Sequence, residues 1–92
     1  MDIDEQALSG IDLNLLLVFI VLFRELSVSK TAVCLNVTQP AVSGSLARLR
    51  KRFNDRLFVP VGPRGVRPTA KASEIAQTLL PALNIIQTVV NA

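Results

Sequence analysis

Residues 28–53, VSKTAVCLNVTQPAVSGSLARLRKRF, contain two stretches with the apolar spacing of short helices and a tight connection between them. In the first stretch, Ala32 and Leu35 are three residues apart and form its expected inner side. The second stretch runs from about Pro40 to Phe53, after the three-residue connection 36–38. Two short helices joined in this way predict a helix-turn-helix.

The second of these helices has two unlike faces. Its apolar residues follow steps of four, three and four, which predicts one buried stripe of Val42, Leu46, Leu49 and Phe53. The opposite face has small and polar residues in its first turns and cations toward its far end: Gln39, Pro40, Ala41, Gly44, Ser45, Arg48, Lys51 and Arg52. Either Thr38 or Gln39 caps the helix, since Pro40 suits a first turn but restrains the residue before it.

A short hairpin is predicted after this pair of helices. Residues 57–61, LFVPV, have the composition of a strand, residues 62–65, GPRG, form a dense turn signal, and residues 66–68 return as a second strand. Pro60 has no N–H to donate, so the hairpin is expected at a sheet edge. A helix-turn-helix followed by such a hairpin is a winged helix-turn-helix, and the fold class is mainly α.

Two further helices flank this unit. Asp12 is a suitable N-cap for a helix to about Leu26, whose apolar residues surround it nearly completely and therefore predict burial on more than one side. From the cap Thr69, a long helix extends to the end of the chain, with Pro81 expected to bend it. It has an apolar seam of Ala72, Ala76, Leu79, Leu83, Ile86 and Val90.

The long helix is interpreted as a dimerisation (linker) helix. Residues 70–91 would extend roughly 33 Å, which is more than a domain of this size can cover. We therefore expect part of the seam, Ala76, Leu79, Leu83, Ile86 and Val90, to contact a second copy. The predicted organisation is a flexible acidic arm over 1–10, the winged helix-turn-helix over 11–69 and this helix over 70–92.

Composition excludes several classes of site. The chain has 92 residues, which suffice for one domain, and it contains no His and one Cys. Catalysis by an imidazole, a Cys/His zinc site and an internal disulfide are therefore excluded, and the chain is not expected to be an enzyme. The longest apolar run, Leu15 to Phe23, is too short to cross a membrane.

Charge is strongly segregated along the chain. Residues 1–26 have a net charge of −4, residues 27–72 of +8 and residues 73–92 of −1, which together make the overall +3. A basic middle segment with a helix-turn-helix predicts binding to duplex DNA, with the second helix in the major groove. The alternative is a dimerising protein-interaction module whose basic face binds an acidic partner.

The predicted DNA contacts fall into two groups. Gln39 can pair with adenine, Ser43 can donate or accept, and Pro40 or Ala41 can touch a thymine methyl group. Cations of the helix and the wing, including Arg50 and Lys51, are expected to neutralise phosphates. The full set of predicted DNA-binding residues is Thr38, Gln39, Pro40, Ala41, Ser43, Gly44, Arg48, Arg52, Arg64 and Arg67.

These residues resemble a known family. The stretches 31–43 (TAVCLNVTQPAVS), 53–58 (FNDRLF) and 64–69 (RGVRPT) are similar to the DNA-binding domain of LysR-type transcriptional regulators, most of all the branch that holds NodD and LeuO. The resemblance covers about residues 11–92. It places Gln39, Pro40 and Ser43 at DNA-contacting positions, Arg64 on the wing, and residues 70–91 in a linker helix that pairs with its twin.

The resemblance also implies a larger protein. It predicts an effector domain beyond Ala92 that binds a small-molecule inducer, and no cofactor within these 92 residues. The expected assembly is a homodimer, with a tetramer as the alternative for the full-length protein, in the bacterial cytoplasm in association with the nucleoid.

The sequence departs from the family pattern at several positions. Thr31 replaces an Ala, which is expected to change only packing, and Val33 and Cys34 replace residues that are commonly polar. Gly44 stands where a larger polar or basic residue is common, so one base contact is expected to be missing. Pro60 stands where Arg is usual, which removes an expected phosphate contact of the wing.

Overall fold

The computed structural model of the chain describes residues 2–63 and 65–92. The described part contains five helices and two strands, which follow one another in this order: α1 (Glu5–Ser9), α2 (Leu13–Glu25), α3 (Val28–Leu35), α4 (Gln39–Phe53), β1 (Phe58–Pro60), β2 (Val66–Pro68) and α5 (Ala70–Val90). The mainly helical, winged helix-turn-helix class is confirmed.

Short polar side chains begin the helices. Each accepts a hydrogen bond from a backbone N–H of the first turn, which would otherwise have no partner. The caps of α1 to α5 are Asp4, Asp12, Ser27, Thr38 and Thr69, in that order. The structure thereby decides between the two predicted caps of α4, because the hydroxyl of Thr38 accepts from the N–H of Ala41 at 3.2 Å.

The predicted flexible arm contains the helix α1. Asp4 caps it, and Asp4 Oδ1 accepts from the N–H of Ala7 at 3.1 Å. The capping residue and residues 5–9 thus form a short helix within the predicted arm, and the flexibility of the arm stays a prediction. None of the residues of α1 is buried.

Helix α2 is central to the core. Phe19 and Leu22 are fully buried in one apolar cluster with residues of α4, β1 and α5, whereas Val18 belongs to a second cluster with Ala32 and Val42. This confirms that α2 is buried on more than one side. Leu13 and Leu17 remain 50% and 42% exposed, so α2 also has an apolar surface that its own domain leaves uncovered.

The turn between α3 and α4 is as short as predicted. Asn36 ends α3 in the left-handed conformation, and Thr38 already caps α4. Val42, Leu46 and Leu49 are buried, and Phe53 packs against the same core from a partly buried position. Thr31 is also buried, and its hydroxyl donates to the carbonyl of Ser27 at 2.8 Å, so this polar group has a partner inside the domain.

The wing comprises β1, β2 and the turn between them, residues 58–68. The strands are antiparallel, and Phe58 pairs with Pro68, Val59 with Arg67 and Pro60 with Val66. A backbone hydrogen bond attaches the wing to the helices. The N–H of Val66 donates to the carbonyl of Leu26, the C-cap of α2, at 3.1 Å. A Cβ at Gly65 would lie 3.5 Å from the same oxygen, which is ordinary van der Waals contact, so this approach does not require glycine.

Candidate nucleic-acid interface

The first turns of α4 form an exposed tip. Gln39, Pro40, Ala41 and Gly44 are exposed, as the sequence predicted for the outer face of this helix, and Ser43 is exposed as well. Ser45, which was placed on the same face, is partly buried. A Cβ added to Gly44 would meet nothing within 4 Å. The tip is therefore narrow, because its side chains are small and no other part of the described chain packs over Gly44.

Exposed cations lie on the same helix as the tip and on the wing. Arg48 and Lys51 follow the tip along α4, and Arg67 is exposed on β2. Arg64, which was predicted to contact DNA from the wing, lies outside the described residues. Both elements can therefore present positive charge to a polyanion.

Arg50 differs from these cations because it contacts the start of the wing. Its Nε donates to the carbonyl of Arg56 and its Nη2 to the carbonyl of Phe58, both at 2.8 Å. The residue is partly buried, and these bonds use two of its five N–H donors. Arg50 therefore holds the start of the wing against α4, and its predicted phosphate contact stays a prediction that would use the remaining donors.

Arg52 is turned toward the N-terminal segment. Its Nη2 donates to the carbonyl of Ala7 at 3.4 Å, and its Nη1 lies 3.5 Å from the point where a Cβ of Gly10 would be. The side chain is exposed and retains further donors. The predicted phosphate contact of Arg52 is thus compatible with this position. The guanidinium would then bind both the phosphate and the carbonyl of Ala7 in α1.

A groove lies between the start of α3, the start of α4 and the wing. It has a volume of about 760 Å³, and its lining includes Ser29, Lys30, Gln39 and Gly62. The sequence interpretation did not select Lys30 as a DNA contact. The sequence shows Lys30 only as a single cation in the first turn of α3. The folded chain shows that Lys30 and Gln39 line the same groove.

Asp55 lies just beyond the end of α4 and connects this helix with the residues that precede β1 and α5. Its Oδ2 accepts from the N–H of Leu57 at 2.8 Å and from the hydroxyl of Thr69 at 2.7 Å. The bond from Thr69 and then that from Leu57 lower the pKa of the Asp55 carboxyl, because both stabilise its charged form. The sequence interpretation had treated Asp55 only as the single acid in a basic segment.

The predicted dimerisation seam is divided between two environments. Ala76 is buried in the core of its own domain and Leu79 packs against that core, whereas Ile86 and Val90 are 41% and 73% exposed. Assigning Ala76 to a contact with a second chain was therefore wrong, because its methyl group already lies among core side chains. Leu83 is half-buried. Further exposed apolar residues lie on the same half of α5: Leu80, Ile85 and Val89.

The fold and the position of the tip match a family of regulatory proteins. Residues 13–73 match the family described as bacterial regulatory helix-turn-helix protein, lysR family. The chain belongs to the LysR family. This family consists of regulators and not of enzymes, as the sequence predicted.

Individual LysR relatives agree with this assignment. The chain is 41% identical over 86 residues to the HTH-type transcriptional regulator LeuO of Escherichia coli (strain K12), which covers 94% of this chain and 27% of LeuO. It is 42% identical over 78 residues to Nodulation protein D 1 of Rhizobium leguminosarum bv. phaseoli, covering 85% of this chain and 24% of that protein. The chain thus spans about a quarter of the length of these relatives.

A solved structure shows the same fold. The crystal structure of a BenM_DBD/catB site 1 DNA complex matches with a TM-score of 0.78 and 25% identity, over 88% of this chain and 90% of that one.

Within residues 2–63 and 65–92, no helix has the length and apolar content needed to cross a membrane.

Proposed function

We propose that this chain binds duplex DNA sequence-specifically as part of a homodimeric transcriptional regulator, with α4 in the major groove and the wing on the backbone. The observation that carries this proposal is the narrow exposed tip of α4, with exposed cations further along the same helix and on the wing. The match to BenM_DBD, which was solved in complex with DNA, supports it further.

The tip offers a small set of groups to base edges. Gln39 and Ser43 supply hydrogen bonds, and Pro40 and Ala41 supply apolar contact for a thymine methyl group. Gly44 contributes no side chain but lets the helix backbone approach the bases closely. The hydroxyl oxygen of Thr38 accepts from the N–H of Ala41, and its O–H can still donate to a phosphate oxygen at the N-terminal end of the helix, which itself attracts a phosphate.

Phosphate contacts come from the cations around the tip. We assign this role to Lys30, Arg48, Lys51 and Arg67, which are all exposed. Arg52 and Arg64 complete the set on the sequence interpretation. Because phosphate contacts are sequence-independent, these residues orient the protein on DNA, while the tip selects the site.

The exposed half of α5 is the proposed dimer contact. Leu83, Ile86 and Val90 form the part of the seam that the domain leaves accessible, and Leu13 and Leu17 of α2 provide further exposed apolar surface. A two-fold dimer places two copies of α4 about one turn of DNA apart or a multiple of it, on an inverted repeat.

The wider assignments follow from the family. They comprise an effector domain beyond Ala92 with a small-molecule inducer, a homodimer or a tetramer of the full-length protein, and the bacterial cytoplasm with association to the nucleoid. LysR membership supports each of them, and the 92 residues themselves carry no cofactor in this proposal.

A salt titration tests the proposal. Binding of the 92-residue chain to a fluorescent random-sequence duplex is measured by anisotropy between low and physiological salt. The four contacts per subunit assigned to Lys30, Arg48, Lys51 and Arg67 predict a slope of log K against log salt of about −7 for the dimer, and contacts from Arg52 and Arg64 would make the slope steeper. Arg48→Gln removes one contact per subunit and should reduce the magnitude of the slope by about 2.

Arg24→Gln provides the matched control. Arg24 is exposed but already paired with Glu25 at 2.8 Å on α2, and it is not among the predicted DNA contacts, so its removal should change the slope much less than Arg48→Gln does. A slope near zero for the unmodified chain, with tight binding to polyglutamate instead, would reject DNA binding and establish the protein-interaction module.

A further inference from the structure

One oxygen atom connects the recognition helix, the wing and the dimer helix. Oδ2 of Asp55, two residues beyond α4, accepts from the N–H of Leu57 and from the hydroxyl of Thr69. The N–H of Thr69 donates back to the carbonyl of Leu57 at 2.8 Å, and the hydroxyl of Thr69 accepts from the N–H of Ala72 at 3.2 Å. We call these four residues the Asp55 junction.

The backbone at this junction adopts a conformation that needs support. Asn54 and Leu57, on either side of the 55–56 dipeptide, have φ angles of 51° and 63°. Asn adopts this left-handed region more readily than most residues, but a Leu rarely does, because the conformation brings Cβ too close to the backbone. The bonds that Asp55 accepts, together with those that Arg50 donates, hold the chain in this turn.

The packing of α5 against the core is concentrated in its N-terminal half. The methyl groups of Ala72 and Ala76 are enclosed, and Ile75 and Leu79 pack beside them from partly buried positions. Methyl groups allow close approach but form a shallow surface, whereas hydrogen bonds are directional. The Asp55 junction thus adds directional bonds to this packing at the N-terminal end of α5.

A small rotation at this end has a large effect at the other. Helix α5 has 21 residues. At 1.5 Å per residue its length is about 31 Å, so a rotation of about 10° at Thr69 moves the far end by about 5 Å. This exceeds the spacing of about 3.4 Å between successive base pairs.

We propose that the Asp55 junction sets the angle between α4 and α5, and thereby the spacing of half-sites that the dimer accepts. The proposal rests on the proposed function, since it requires DNA binding by a dimer joined through α5. Asp55 and Thr69 are then positioning residues, which act on specificity without contacting DNA.

The test separates spacing from binding. Duplexes that the 92-residue chain binds are first selected from a random library. The selected pair of half-sites is then rebuilt with zero, one or two base pairs added to or removed from the spacer, and a single half-site duplex is prepared. We expect the unmodified chain to bind its preferred spacing about tenfold more tightly than the altered ones.

Asp55→Ala is expected to reduce this preference to about twofold while leaving the affinity for a single half-site within about twofold. Asp55→Asn keeps an oxygen that can accept both bonds and should retain the preference. If Asp55→Ala does not fold, Thr69→Val removes the hydroxyl at nearly constant shape, and Thr69→Ser restores it.

Asp12→Ala is the control for general loss of stability. It removes the cap of α2, where Oδ1 accepts from the N–H of Asn14 at 2.9 Å, and it is separate from the junction. The inference is overturned if Asp55→Ala and Thr69→Val keep the normal preference, or if Asp12→Ala loses it equally. Failure of the unmodified chain to select any duplex would instead overturn the proposed function.

Discussion

Helices α4 and α5 both bury one apolar stripe in the same core, but they expose opposite kinds of surface. The exposed side of α4 consists of small residues and cations, such as Ala41, Gly44 and Arg48. The exposed side of α5 includes Ile85 and Val89, which are 67% and 72% exposed. Burial thus accounts for the fold of both helices, whereas their uncovered residues distinguish a nucleic-acid contact from a protein contact.

The largest effect is expected when a charge is placed on the exposed apolar side of α5, because this removes the difference between its surface and that of α4. Ile86→Glu places a charge on the exposed apolar side and should convert the dimer to a monomer, which sedimentation equilibrium measures. Affinity for paired half-sites should fall by about 100-fold, because two-site binding is lost.

Asn84→Glu is the control for this change. Asn84 is exposed, and helical periodicity places it on the side of α5 opposite to Ile86. The variant should remain a dimer with nearly unchanged affinity. A dimeric Ile86→Glu protein would show that this side of α5 is not the interface.

Overpacking the buried half of α5 should act on stability. Ala76 is 6% exposed within the core, so Ala76→Leu must displace its neighbours and should lower the free energy of unfolding by about 1–3 kcal/mol in urea. The adjacent, exposed Gln77→Leu should change it by less than about 0.5 kcal/mol. Equal effects at the two positions would contradict the division of α5 into a buried and an exposed side.

The exposed side of α4 should accept a small addition. A Cβ at Gly44 has open space around it, and alanine favours the helix more than glycine, so Gly44→Ala should raise the free energy of unfolding by about 0.5–1 kcal/mol. Gly62→Ala should instead destabilise the protein, because its φ of 83° is strained for alanine although it too has space. Thermal unfolding of the two variants measures both changes, and destabilisation by Gly44→Ala would show that the tip is packed.

The smallest expected effect concerns pH at the connection between the two helices. The folded state lowers the pKa of Asp55, so its contribution to stability is present above the ordinary carboxyl pKa and is lost as the pH falls through the lowered value. Asp55→Asn should therefore be slightly less stable than the unmodified chain at pH 7, and the difference should shrink in acid. Urea unfolding between pH 3 and pH 7, taken at about one-unit steps, measures it, and a difference that grows in acid would contradict this sign.

Local patterns were sufficient for the elements of the domain. The apolar steps of α4, the short turn before it and the hairpin after it each depend on neighbouring residues, and the structure confirms the helix, the short turn and the pair of strands. The exposure of Ser43 and Gly44 follows in the same way, because they lie away from the buried stripe, whereas Gln39 is exposed because it is the first residue of the helix. The predicted bend at Pro81 stays a prediction, and α5 continues past this residue.

Side chains with distant partners could not be assigned in this way. Arg50 and Arg52 are two residues apart in a run of cations, yet one holds the wing and the other contacts α1. Asp55 and Lys30 gain their significance from Thr69 and Gln39, which are far away along the chain. These partners are brought together only when the helices pack.

The amino-acid sequence alone determined the family, the helix-turn-helix with its wing and the residues at the tip, because short-range spacing and turn chemistry specify them. Only the tertiary structure decided which cations remain accessible, how much of the α5 seam its own domain covers and how one carboxylate joins three elements. The physical reason is that burial and hydrogen bonding between distant segments depend on how the helices lie against one another, which no local pattern contains.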